Sequence, residues 1–73
     1  MPTAKHAGFK IRSFVEGSLY RAYVERADGA QFQAYGKAVK AWQTPQSTDA
    51  DSAIGLAIYA IDANKIKLER PAI

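Results

Sequence analysis

Cysteine is absent from the 73 residues, which removes disulfides, thiolate nucleophiles and cysteine-built zinc sites together. Histidine occurs once, at His6, with no ligand or nucleophile at a working spacing around it, and it reads as a solvated residue of the N-terminal tail. No apolar run approaches the roughly 18 residues of a membrane span, so no membrane partner is expected. The opening Met1-Pro2-Thr3-Ala4-Lys5-His6-Ala7-Gly8 lacks the apolar stretch of a signal peptide, and a cytoplasmic chain is the expectation. Gly8, Gly17, Gly29, Gly36 and Gly55 form neither a dinucleotide fingerprint nor a phosphate loop. Asp49 and Asp51 are explained by a helix start rather than by acid–base work. The pattern therefore points away from an enzyme, and no metal, cofactor or small-molecule substrate is implied.

What is present describes one small domain over 1–73, with 1–7 and 69–73 as flexible ends. At this length about 60% of the chain's surface can be buried, enough for one thin two-layer core. Hydrophobic residues at 48% and charged residues at 23% are ordinary globular values, which disfavours disorder. The net charge of +3 is unevenly spread. Lys5, Lys10, Arg12, Arg21, Arg26, Lys37 and Lys40 make the first 40 residues the basic part of the chain.

Phe9, Ile11, Ser13 and Val15 alternate with Lys10, Arg12, Phe14 and Glu16, the period of a strand. Glu16-Gly17-Ser18 signals a turn, and Leu19 to Arg26 forms a second strand with Tyr20, Ala22 and Val24 on one face. The two make an antiparallel hairpin. Asp28-Gly29 is the next turn. Ala30 to Trp42 reads either as a strand with a bulge at Gly36 or as a helix, since Phe32, Tyr35, Val39 and Trp42 are spaced 3, 4 and 3 apart. The strand reading is favoured, because a helix would carry Gly36 at its centre and leave only two strands beneath it.

A helix is expected near 49–63, with Thr48 as N-cap and Ala50, Ala53, Ile54, Ala57, Ile58 and Ile61 as its apolar stripe. Asn64 suits a left-handed cap, and Ile66 to Arg70 alternates as a short last strand. The fold class is α+β in two layers. A three- or four-stranded antiparallel sheet carries one helix on one face, in the order β-β-β-α with a short C-terminal strand. Ile54, Ala57, Ile58, Ile61, Ile11, Tyr20, Ala22 and Val24 are the expected core.

The feature above background is a set of cations interleaved with aromatics. If Tyr20, Ala22 and Val24 face the helix, Arg21 and Tyr23 face out, joined by Lys10, Arg12 and Phe14. Tyr35 with Lys37, or Lys40 with Trp42, extend that surface. Three readings stay open. The plainest is a solvated sheet face whose cations guard its aromatics against aggregation. The second is a protein-interaction surface, with a homodimer as the companion expectation because a one-sided sheet can cover its second face with a copy of itself. The third is nucleic acid, bound by phosphate neutralisation and base stacking.

Tyr20-Arg21-Ala22-Tyr23-Val24-Glu25, then Asp28-Gly29, then Thr48-Asp49-Ala50-Asp51-Ser52-Ala53-Ile54 opening a helix, resembles the HicB-type antitoxins and other small bacterial hairpin-plus-helix domains of unknown function. The resemblance spans residues 9–63. It implies a hairpin and a third strand packed with one helix, and it carries over no functional residue.

Overall fold

The alternation after Phe9 sets the framework. In the computed structural model, which describes residues 3–68, β2 (Phe9–Glu16) and β3 (Leu19–Arg26) pair antiparallel around Gly17-Ser18. Ile11 lies opposite Val24 and Ser13 opposite Ala22, so the middle of one face is small and mostly apolar. Lys10 and Arg12 fall on the other face with Arg21 and Tyr23.

Two further strands complete this sheet. β1 (Thr3–His6) pairs with β2 across a turn at Ala7-Gly8, where both residues take left-handed φ values of 50° and 86°. Within the segment 1–7, Thr3–His6 forms an edge strand, so His6 is a strand residue rather than part of a solvated tail; residues 1–2 lie outside the described residues. Residues 69–73, the other end read as flexible, lie outside the described residues. β6 (Trp42–Gln43) pairs with β3, giving the order β1-β2-β3-β6.

Residues 30–42 are strands, as the pattern favours, but Gly36 is not a bulge. β4 (Phe32–Ala34) and β5 (Lys37–Val39) form a hairpin whose two turn residues, Tyr35 and Gly36, have φ values of 50° and 81°. Two consecutive left-handed residues reverse the chain rather than kink it. β4 also pairs with β7 (Ile66–Lys67), the short last strand, so a second antiparallel sheet forms in the order β5-β4-β7. The sequence pattern gave no sign of this second sheet.

The helix α1 (Ala50–Asp62) starts one residue later than expected for a Thr48 cap. Asp49 is the N-cap. Its carboxylate accepts from the Ser52 amide at 2.7 Å and from the Ser52 hydroxyl at 3.1 Å. The buried face is Ala53, Ala57, Ala60 and Ile61, while Ile54 and Ile58 pack half-buried at its flank. Alanine lets the helix axis approach the sheet, and the larger side chains of Phe9, Ile11, Val24, Phe32 and Ile66 fill the space beside it. Tyr20, expected in the core, is half-buried against it. At the other end Asn64 takes φ 62°, and the Asn64 and Lys65 amides donate to the Ile61 and Ala60 carbonyls at 3.1 and 2.9 Å. This paired closure is the left-handed cap read from Asn64. The helix is too short to cross a membrane, and none among the described residues does so.

Thr44 closes the first sheet. Its amide donates to the Ala22 carbonyl at 3.0 Å, and its hydroxyl accepts from the Ala22 amide at 2.9 Å and donates to the Pro45 carbonyl at 3.0 Å. The hydroxyl stands where a strand carbonyl would, in a fully buried position. Thr44→Val keeps the shape but strips the acceptor from a buried amide, and it is expected to cost about 1–3 kcal/mol. Thr44→Ser should cost clearly less. Equal losses in urea denaturation would contradict the role of the hydroxyl.

Two aspartates link stability to acid. The Ser52 amide holds the Asp49 carboxyl below the ordinary aspartate range, and the Ala30 amide, with Arg26 beside it, does the same for Asp28. A depressed carboxyl pKa stabilises the fold above the unfolded value of about 3.9, and that contribution is lost as pH falls through the lower folded value. Asp49→Asn retains a capping side chain without the titration. Urea midpoints taken from pH 5 down to about 2.5 should fall less steeply for Asp49→Asn than for the unaltered chain. An unchanged slope would contradict the assignment.

Candidate interaction surfaces

Because α1 packs on β2 and β3 from one side, and the second sheet joins the same core, the other face of the first sheet is left open. The strand register orders this face into rows. Lys5, Lys10 and Glu25 form one row; Thr3, Arg12, Tyr23 and Gln43 form the next; Phe14 and Arg21, then Glu16 and Leu19, complete it. Lys10, Arg12, Phe14, Arg21 and Tyr23 therefore share one surface, as the alternation implied.

The charges on this face are answered within it in part. Arg21 Nε donates to Glu16 Oε1 at 2.9 Å, and the same oxygen accepts from Gln46 at 2.6 Å. The Arg12 guanidinium lies 4.9 Å from the centre of the Tyr23 ring, a cation–π distance. Lys10 stands between Lys5 and Glu25 in the register, so the repulsion of one neighbour is offset by the attraction of the other. Thr3, Lys5, Lys10, Arg12 and Glu25 border a shallow cleft at this end. Lys5 was missing from the sequence-derived set, because Thr3-Ala4-Lys5-His6 has no hydrophobic alternation to mark it as a strand.

Tyr35, Lys37, Lys40 and Trp42 do not extend the open face. Trp42 lies opposite Val24, on the helix side of the first sheet, and packs half-buried against the core. Its ring is stacked with Tyr35 at the tip of the β4–β5 hairpin, with centres 5.5 Å apart and planes tilted by 38°. Lys37 follows the turn and Lys40 precedes β6. These residues form a second surface at the second sheet, to which β7 brings Lys67 and the residue before it, Lys65, two cations the local pattern did not connect to it.

His6 is joined to the helix rather than to a reaction centre. Its Nε2 lies 2.7 Å from Asp62 Oδ1, which ties the edge strand β1 to the last turn of α1. No group of three His, Cys, Asp or Glu side chains that could hold a metal occurs among the described residues. His6→Ala should loosen β1 selectively. Its Thr3–His6 amides are expected to exchange faster with solvent than in the unaltered chain, while the Ala22 amide is little affected. Uniform acceleration across the fold would contradict a local tether.

No family model, curated protein or solved structure matches the chain.

Proposed function

We propose that this chain is a non-catalytic interaction module that recognises a protein surface with the open face of its first sheet, a second copy of the chain being one partner for that face. The observation that carries the reading is the engagement of both arginines of that face within it. Arg21 is bonded to Glu16, Lys10 is flanked by Glu25 and Arg12 lies on Tyr23. A surface kept for a polyanion leaves its cations free. Arginines fixed beside aromatic and aliphatic groups are the composition of protein interface cores, where Arg and Tyr are enriched. Phe14, Leu19 and Tyr23, each half-buried, supply the apolar area.

Light scattering of the full chain across micromolar concentrations tests this. A mass rising above the 8.0 kDa of one chain is expected, returning to 8.0 kDa in Tyr23→Ala. Truncating a central aromatic anchor of this kind costs about 2 kcal/mol or more of association. Arg21→Gln, at a residue already paired within its own chain, should change the mass little. A mass of 8.0 kDa at every concentration contradicts self-association.

A further inference from the structure

The tip of the second sheet breaks local rules in a way the fold does not require. Tyr35 takes a left-handed φ of 50° in a two-residue hairpin turn, where asparagine, aspartate or glycine fits and a bulky side chain is strained. The residue is 56% exposed, yet its ring is held against Trp42. The segments 30–43 and 63–68 contain Lys37, Lys40, Lys65 and Lys67 and no carboxylate. None of these lysines makes a side-chain hydrogen bond or ion pair with another described residue.

The second sheet carries them near its tip on two faces, Lys37 beside Ala34 and Lys67 beside Gln33. The Tyr35 amide donates to the Lys65 carbonyl at 2.8 Å, and Lys67 lies opposite Gln33 across β4 and β7. Lys37 closes the turn opposite Ala34, and Lys40 stands two residues before Trp42. Like charges with no ion-pair partner among the described residues repel, and more than half of the Tyr35 surface stays open to solvent although the residue sits in a strained turn. Both features become useful only against something flat and anionic.

We propose that the Tyr35–Trp42 tip of the second sheet binds single-stranded nucleic acid, with an unpaired base stacked on Tyr35 and the flanking phosphates met by Lys37, Lys40 and Lys65. The site is separate from the open sheet face and does not depend on self-association there. An acidic protein surface would answer the lysines but leave the exposed ring without a partner. A base-paired duplex keeps the flat faces of its bases hidden.

Trp42 is the sole tryptophan, so its emission reports from the site itself. The full chain is titrated with a dye-labelled short oligothymidine at low salt, following label anisotropy and tryptophan emission. Saturable binding with a change in emission is expected, weakening with salt by a slope of about 0.7 per neutralised phosphate. Tyr35→Asn restores a residue the turn prefers, so its melting temperature should hold or rise while binding weakens roughly tenfold. Lys37→Gln combined with Lys65→Gln should lower the salt slope by about 1.4. Tyr59→Ala, at an exposed ring on the helix, should leave binding unchanged. Four results would each overturn the proposal: equal affinity for the matching duplex, equal affinity for thymidine monophosphate, binding that survives Tyr35→Asn, or binding lost in Tyr23→Ala instead.

Discussion

Phe9 and Phe32 hold the two sheets together. Phe9 opens β2 and Phe32 opens β4; their rings meet edge to face, with centres 5.1 Å apart and planes at 75°. Both are almost wholly buried, at 1% and 0% exposure. Apart from chain connections, the second sheet is joined to the first by this packing, by Ile66 in the same core, by the Tyr35–Trp42 contact and by Arg26 of β3, which donates to the Gln31 and Leu68 carbonyls, not by a shared ladder. Strands of two or three residues cannot sustain a sheet in water on their own. The position of the Tyr35 tip, and with it the second surface, therefore depends on a core contact along β4 as well as on Trp42 beside it.

The alanine face of α1 makes that contact possible. Ala53, Ala57 and Ala60 bring the helix close over β2 and β3, which leaves room beside it for two phenylalanines and Ile66. The division of labour is unequal: the strands carry the volume and the helix carries the fit. Ile54 and Ile58, the larger apolar residues of the helix, sit at its flank, where they seal the edge of the core. Asp49 fixes where the helix begins, and Asn64 fixes where it ends, so that Lys65 and Ile66 emerge in place to pair with β4.

Much of the first sheet was legible because its information is local. The period of two along Phe9–Glu16 and Leu19–Arg26 assigned both faces of the hairpin correctly, and with them Lys10, Arg12, Phe14, Arg21 and Tyr23. The helix, its left-handed cap at Asn64 and the short last strand followed from spacing and residue type. What was missed depends on relations between distant segments. Thr3–His6 joins the sheet through its register with β2 rather than through any alternation of its own. The turn at Ala7-Gly8 has a left-handed alanine, a residue that carries no turn signature. Tyr35 at a hairpin turn reads as a strand residue for the same reason, and only the fold separates it and Trp42 from the open face. The stripe that favoured Ile54 and Ile58 over the alanines was a judgement of hydrophobicity, whereas the sheet selects for closeness.

Two surfaces of different character follow from one cooperative core. The open face engages its arginines through Glu16 and Tyr23 and half-buries its aromatics; the hairpin tip has an exposed ring and lysines with no ion-pair partner among the described residues. Native-state hydrogen exchange measures most directly whether a single core supports both. The Ala22 amide, bonded to Thr44 in the first sheet, and the Tyr35 amide, bonded to Lys65 at the second, serve as reporters. If the Phe9–Phe32 contact unites the sheets, both amides exchange through the same global opening, with the same denaturant dependence. If the Tyr35 amide exchanges through a smaller opening that leaves Ala22 protected, the second sheet unfolds by itself and the unifying role of that contact is wrong.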